Sequence, residues 1–343
     1  ENDPLRSWRM APIDWKHYEM YDRFIDAAEQ IISYTNTGHA PWEIVEGEDL
    51  LYRSLRMGEV LQMMLERQLT KEPLRQRYLA EMREEVHNKV IEAQTGNGQV
   101  TPAVTILDGL DFSLALDKKT YKKELALLQA RLAMAHQSAA AKDVSVVLVF
   151  EGPDAAGKGG VIRRITDPLD ARYYKVFPFA APNDVENAQH YLWRFWRHLS
   201  RAGRVTIFDR SWYGRVLVER VEGFATEDEW KRAFAEINEF EEQLTDHGIL
   251  LLKFWEHITK DEQLARFRAR EETPRKRWKL TEEDWRNREK WEDYELAVND
   301  VVEHTSTHTA PWVLVEGNDK RFARIKVINT FCDRLEAMLQ GKA

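Results

Sequence analysis

The chain has 343 residues, 43% of them hydrophobic, enough to bury a core in one large domain or two smaller ones. Its formal net charge of −8 argues against a broad nucleic-acid surface and confines any polyanion to a local basic patch. Apolar runs such as VSVVLVF fall short of the ~20 residues of a membrane helix, no basic-plus-apolar leader is present and the lone Cys332 cannot make an internal disulfide, so a cytoplasmic location away from membranes is expected.

Taken from the N-terminus, the first feature is a repeat. Residues 1–56 align without a gap to residues 271–326 under a shift of 270, with 16 identities, among them Trp8 with Trp278, Trp15 with Trp285 and Trp42 with Trp312. The clearest block, TNTGHAPWEIVEGED against TSTHTAPWVLVEGND, reads as an amphipathic helix and then a buried strand in both copies. The first copy starts in the middle of the unit, so the chain is expected to be a fragment. On this reading residues 1–70 are the C-terminal remnant of a first copy, 71–103 a helical linker ending in TGNGQVTP, and 104–343 a complete second copy.

In the second copy, a helix over 119–140 carries Tyr121, Leu125, Leu128 and Leu132 on one face and leads into a strand over 145–150. The glycine-rich stretch EGPDAAGKGG follows, then a helix and a short strand over 174–177. Asn183, with Glu186 three residues on, opens a predicted helix that buries Leu192, Phe195, Trp196 and Leu199 and closes at Gly203. Strand 205–208 precedes DRSWYGR. Thr226 with Glu229 starts a helix with Trp230, Phe234, Ile237 and Leu244 inward, closed by Gly248 before strand 249–255. Thr259 opens a basic helix, Thr281 a long helix to about 304, and 312–316 is the last strand. Apolar strands alternating with helices imply an α/β fold with a parallel sheet covered on both faces. Ligands in such sheets sit at the carboxyl ends of strands, where loops 151–159, 209–215 and 317–321 gather the polar residues.

Gly152-x-x-x-x-Gly157-Lys158 after an apolar strand and before a helix is the context of a phosphate-binding loop, in which backbone amides, a helix N-terminus and a lysine surround an anion. The expected cradle comprises Gly152, Pro153, Ala155, Ala156, Gly157, Gly159 and Gly160, with Arg163 on the helix that follows. Gly159 stands where a Ser or Thr metal ligand is usual. Asp154 and Asp209 supply the hard oxygen donors Mg²⁺ prefers, so they are the expected metal ligands. Asp209 ends a hydrophobic strand in the Walker-B manner, and Arg210 beside it can stabilise a transferring phosphoryl group. Ser211 and Arg215, and Asp319 and Lys320 after the last strand, are the candidate acceptor contacts. The basic run containing Arg266, Arg270, Arg275, Lys276, Arg277 and Lys279 lies between the last two strands, where kinases of this type carry a lid, here about 259–300 with a break at Thr273-Pro274. Trp193, Trp196, Trp230 and Trp255 read as core. His190 and His198 have no metal-ligand spacing, and Ser211 lacks a nucleophile-elbow context, which disfavours a hydrolase.

At these motifs the sequence resembles the polyphosphate kinase 2 family over residues 104–340, through YKKELALLQARL, VVLVFEGPDAAGKGGVIRRIT, FDRSWYGRVLVERVEGF, DEQLARFRAREETPRKRWKL and THTAPWVLVEGNDKRFARI. The two-copy arrangement resembles its fused-domain branch, which phosphorylates AMP. The resemblance implies a three-layer α/β/α P-loop kinase fold with a helical lid, Mg²⁺ dependence, inorganic polyphosphate as donor and AMP as acceptor. It also implies a catalytic set of Asp154, Lys158, Asp209 and Arg210, with no nucleic-acid or membrane partner; a homo-oligomer is compatible with it. The first copy departs from the pattern, with Leu50-Leu51 opposite Lys320-Arg321, and Leu5 and Ser7 opposite Arg275 and Arg277. The competing readings are an ATP-dependent nucleoside monophosphate kinase of thymidylate-kinase type and a P-loop module that tethers polyphosphate without turnover.

Overall fold

A computed structural model describes residues 11–37, 40–66, 69 and 105–341. The chain divides into two compact units, Glu1–Thr101 and Pro102–Ala343. The expected linker, 71–103, lies outside the described residues. Among the described residues no helix is long and apolar enough to cross a membrane.

In the first unit α1 (Pro12–Glu19) and α2 (Tyr21–Thr35) are followed by an extended segment and α3 (residues 50–66). Thr35 Oγ1 donates to the Ile31 carbonyl at 2.6 Å and accepts from Trp42 Nε1 at 2.7 Å, which ties the segment back onto α2. Most described apolar side chains of this unit stay open to solvent, with Ile31 54% and Trp42 51% exposed.

The second unit begins with a single turn at Ile106–Gly109 and continues with α4 (Lys118–Ala141), whose N-terminus is capped by Asp117 accepting from Lys119 N and Thr120 N. There follow β1 (Val146–Glu151), α5 (Lys158–Thr166), β2 (Tyr174–Pro178), α6 (Asp184–Asn187), α7 (Trp193–Trp196) and β3 (Val205–Asp209). A tight turn over Trp212–Arg215 leads to α8 (Val218–Val221), α9 (Glu227–Asp246) and β4 (Leu250–His257). The chain ends with α10 (Lys260–Glu272), a turn over Pro274–Lys279, α11 (Glu282–Glu289), α12 (Trp291–Thr305), β5 (Trp312–Glu316) and α13 (Lys320–Leu339).

The five strands form one parallel sheet in the order β2-β3-β1-β4-β5. Every residue of β1 and β4 is buried, because helices cover both faces and the continuous apolar runs have no solvent side to show. Val147, Val149, Phe208, Leu251 and Trp255 pack with α9 and α12 on one face. Val146, Leu148, Phe150, Ile207 and Phe254 pack with α4, α5 and α13 on the other. The three-layer α/β/α expectation is thereby met.

Three segments differ from the sequence expectation. The stretch of the first copy expected as a buried strand, 42–46, is largely exposed and pairs with no strand among the described residues. Residues 183–203 form two short helices and not one, because Arg194 takes an inward position: its guanidinium donates to the Ala180 carbonyl at 3.0 Å and lies 4.9 Å from the Phe179 ring. The helical phase that would have buried Trp196 is lost; Trp196 is 45% exposed and meets Phe240 edge-on, whereas Phe195 is buried. The long helix expected from Thr281 is broken at Lys290, whose ammonium leaves the helix to reach Val221 O and Glu222 Oε2.

The Thr–Trp bonds recur at the matching positions of the repeat. Thr305 Oγ1 donates to Val301 O at 2.6 Å and accepts from Trp312 Nε1 at 2.9 Å, the arrangement of Thr35 and Trp42 shifted by 270 residues. Here the sheet covers the apolar face, and Val301 and Trp312 are 1% and 8% exposed.

Candidate active site

The register Phe150↔Asp209 and Glu151↔Trp255 brings the carboxyl ends of β3, β1 and β4 side by side. The loop from Gly152 to Gly157 rises from that edge. Gly152 has φ 148°, and a Cβ there would lie 2.3 Å from the Glu256 carbonyl oxygen, so the loop needs glycine to pass over β4. Lys158 opens α5, and its ammonium donates to Gly152 O at 2.5 Å and Pro153 O at 3.3 Å. Gly159, the usual hydroxyl position, is open: a Cβ there would meet nothing within 4 Å.

Arg266 stands apart from the other basic residues of its run. It is 6% exposed, and its guanidinium donates to Ala155 O, Ala156 O, Gly317 O and Asn318 O while Nε donates to Glu262. With its donors taken by carbonyls, Arg266 acts as a staple between the 152–157 loop and the loop after β5. Ala156, beneath it, is 2% exposed, and Arg163 lies more than a turn along α5, on its exposed side.

Asp209 ends β3 and Arg210 follows with φ 68°, a conformation costly for a side chain with a Cβ. Its guanidinium pairs with Asp154 Oδ1 at 3.1 Å, while Asn287 Nδ2 of α11 donates to Asp154 Oδ2 at 2.8 Å. Asp154 thus joins its own loop, the turn after β3 and α11. Burial opposes the charge on Arg210, but Asp154, Glu151, Glu283 and Asp209 outweigh it and hold the guanidinium ionised. Ser211, an expected acceptor contact, is 4% exposed and spends its amide and hydroxyl on Glu151 Oε1, at 2.7 and 2.8 Å.

A fully buried ion pair supports the turn from below. Lys253 Nζ donates to Glu241 Oε2 at 2.6 Å, to Thr305 O at 2.6 Å and to Tyr213 OH at 3.0 Å. Glu241 Oε1 in turn accepts from Tyr213 OH and Trp212 Nε1. Each polar atom of this cluster has a partner, which is what makes burial of the charges tolerable.

Beside Asp154 and Arg210 a cavity of about 480 Å³ opens, within the usual range for small-molecule sites. Phe179, Tyr191, Leu217 and Phe224 give it apolar walls, and Arg194, Arg215, Glu283 and Asn287 give it polar ones. Arg215 lies 4.7 Å from the Tyr191 ring and pairs with Glu219. Of the expected acceptor residues, Ser211 and Arg215 line the cavity and Asp319 and Lys320 do not. Asp319 caps α13 through Arg321 N and Phe322 N, and Lys320 opens that helix, its stem open to solvent while partial desolvation of the ammonium and nearby Arg266 lower its pKa.

The residues expected to form a lid, about 259–300, fold as α10, the Pro274–Lys279 turn, α11 and the first part of α12, with a break at Thr273 where α10 ends. Arg270 turns inward to Lys279 O at 3.2 Å. Arg275, Lys276, Arg277 and Lys279 are exposed, and among the described residues no carboxylate pairs with them.

Asp209 ends β3 and Asp154 stands in the loop that leaves β1; both are hard oxygen donors, and no described cluster of three or more His, Cys, Asp or Glu could hold a metal by itself. That donor set fits a small divalent cation that keeps waters and takes its remaining oxygens from a phosphate. Sequence reasoning missed Glu151, Glu256, Gln263 and Asn287. Gln263 donates to the Asp154 carbonyl, and Glu256 lies under the loop with neither carboxylate oxygen hydrogen-bonded.

The family model for polyphosphate kinase 2 (PPK2) matches residues 1–73 and 115–343. The chain is 51% identical to polyphosphate:AMP phosphotransferase of Pseudomonas aeruginosa over 98% of its own length and 65% of that protein's. It is 43% identical to polyphosphate:AMP phosphotransferase of Acinetobacter johnsonii over 96% of its length and 63% of that relative's, so it spans under two thirds of either. A crystal structure assigned to polyphosphate kinase 2 of P. aeruginosa PA01 superposes with a TM-score of 0.79 at 49% identity, covering 96% of this chain and 64% of that one.

Proposed function

The chain belongs to the polyphosphate kinase 2 family, and from that premise we propose that it moves a phosphoryl group from inorganic polyphosphate to AMP, giving ADP, in the cytoplasm and with Mg²⁺. The observation that carries this reading is the meeting at Asp154 of three elements: the phosphate-binding loop, Arg210 of the Walker-B turn and Asn287 of the lid, at the mouth of a nucleoside-sized cavity.

In the proposed reaction the amides of the 152–160 loop and Lys158 hold the end phosphates of the donor. The lysine leaves its loop carbonyls, Gly152 O and Pro153 O, for phosphate oxygens. Arg210 is placed to balance charge on the equatorial oxygens of the phosphoryl group in a loose transition state, and Asp209 orients the acceptor phosphate oxygen. Asp154 and Asp209 would hold Mg²⁺, which when bound neutralises phosphate charge and aligns donor with acceptor. Phe179, Tyr191 and Phe224 would pack on the acceptor base, with Arg194 and Arg215 near its phosphate. Arg275, Lys276, Arg277 and Lys279 would run along the polymer, which a protein of net charge −8 can bind only at such a patch.

The test is direct: incubate the chain with Mg²⁺, polyphosphate and each of AMP, ADP, GMP and GDP, and chromatograph the nucleotides. ADP formed from AMP only when polyphosphate is present is the expected result. Turnover with ATP that ignores polyphosphate would assign a monophosphate kinase, and binding without product a tether.

A further inference from the structure

Four buried glutamates lie in or beside the sheet, and one differs from the others. Glu316, at the end of β5, accepts from Lys326 Nζ at 2.7 Å. Glu151 is satisfied by Ser211, and Glu241 by Lys253, Tyr213 and Trp212. Glu256, near the end of β4, is 0% exposed, and among the described residues both of its carboxylate oxygens lack a hydrogen-bond partner. Its position is specific. Its main chain abuts Gly152, and its Oε2 lies 3.1 Å from where a Cβ of Gly157 would be, so the carboxyl group forms the floor of the phosphate-binding loop.

Charged groups face it from four elements: Lys158 of α5, Arg266 of α10 and Arg324 of α13 attract it, and Asp209 of β3 repels it. The cations are engaged elsewhere. Lys158 is bonded to loop carbonyls, Arg266 to four carbonyls, and Arg324 Nη1 reaches toward Tyr121 OH at 3.5 Å. A buried carboxylate without a partner bears most of its desolvation cost, and the cheapest relief is a proton. Burial accordingly raises its pKa to about 7.

We propose that Glu256 is an internal anion of the phosphate-binding loop, a positioning residue that competes with the donor's phosphates for Lys158 and Arg324 and takes a proton from solvent when the donor binds. The inference rests on the proposed placement of phosphate in this loop. Bringing phosphate charge above the carboxylate adds like-charge repulsion, so the O–H bond forms on Glu256 as the polyanion enters. Donor affinity therefore falls as pH rises through neutrality, beyond what the phosphate's own titration explains.

The probe is inorganic tripolyphosphate without added divalent cation, so that no metal charge offsets the phosphates, titrated calorimetrically from pH 6 to 8.5 into the wild-type chain, Glu256→Gln and Lys158→Ala. Each pH is run in two buffers of different ionisation enthalpy to count protons. One like charge removed at ~7 Å under an effective dielectric near 20 is worth about tenfold or more in affinity. Glu256→Gln should bind about tenfold tighter than wild type at pH 8.5, match it near pH 6 and show less proton uptake. In steady state the gain should fall on the donor KM and leave kcat within about twofold. Coincident pH profiles and equal proton uptake would overturn the proposal. If Gln does not fold, wild-type uptake no greater than the ligand's own protonation overturns it equally. Should Lys158→Ala bind like wild type, the placement of phosphate in the loop fails instead.

Discussion

Arg210 Nη2 and Asp154 Oδ1 lie 3.1 Å apart, joining the ends of two sheet neighbours through residues 56 positions distant in the chain. Arg210 is about half exposed, so the pair adds at most about 1 kcal/mol to stability. Its value is placement, and the φ of 68° at Arg210 shows the backbone held in a costly conformation to aim that guanidinium. Arg210→Ala should leave the melting temperature within a few degrees of wild type and lower kcat by about 10³-fold, the scale of losing one charge-stabilising donor. Loss of fold with retained specific activity would reverse that assignment. Thermal melts beside initial-rate assays decide it.

The Lys253–Glu241 pair predicts the opposite balance. Both side chains are within 1% of full burial, and neither faces the cavity. Glu241→Gln or Lys253→Met alone leaves a buried charge or donor unmatched and should cost roughly 3–5 kcal/mol. The double variant should recover a large part of that loss, because the penalty comes from the abandoned partner. Chemical denaturation of the four proteins of the cycle measures the coupling.

The main features of the fold are legible in the sequence because they are periodic or covalent. The buried strands appear as continuous apolar runs, the caps as Thr226 with Glu229 and Asn183 with Glu186, and the repeat as a fixed shift that carries even the Thr–Trp hydrogen bond with it. What escaped is set by long-range pairing. Asn287 meets Asp154 across 133 residues, and Arg266 finds its carbonyls 51 and 110 residues away. Counted as charge, Arg266 belongs with Arg275 and Lys276; only the packing of α10 against the loop turns it inward. Arg194 likewise upset the helical phase of 183–203 because its target, Ala180 O, lies outside any local pattern.

Two adjacent residues of β4 set opposing pH limits on stability. Glu256 has its pKa raised from 4.5 to about 7, so the folded form is most favoured below pH 4.5 and loses about 3 kcal/mol as pH climbs through 7. His257, 6% exposed, has its pKa lowered by burial from 6.5 to about 4, and its Nδ1 accepts from Trp255 Nε1. Its contribution is whole above 6.5 and lost as pH falls toward 4. Stability should therefore peak between these limits, with Glu256→Gln flattening only the alkaline side. Melting curves from pH 4.5 to 8.5 for wild type and Glu256→Gln test the sign, and a Gln variant that gains nothing at pH 8.5 contradicts it.

The turn between α10 and α11 offers a separable test of donor recognition. Arg275, Lys276, Arg277 and Lys279 are exposed, and among the described residues they have no carboxylate partners, so neutralising them removes charge and only two surface contacts, Arg277 Nε to the Glu271 carbonyl and Lys279 over the Trp278 ring. Replacing all four with Gln should therefore change the melting temperature by no more than a few degrees. Their effect on a bound polyanion is different, since each cation attracts several phosphates within a screening length of about 8 Å at physiological salt. The donor KM should rise about tenfold or more for long polyphosphate and less for tripolyphosphate, which is too short to reach every cation. The salt dependence of KM should also flatten, because screening acts only on charges that remain. A rise in KM equal for long and short donors would place these residues on the end phosphates; no rise at all would leave them as a solvated face. Arg266→Gln, by contrast, should lower stability as well as activity, since its carbonyl partners on two loops would lose their donors together.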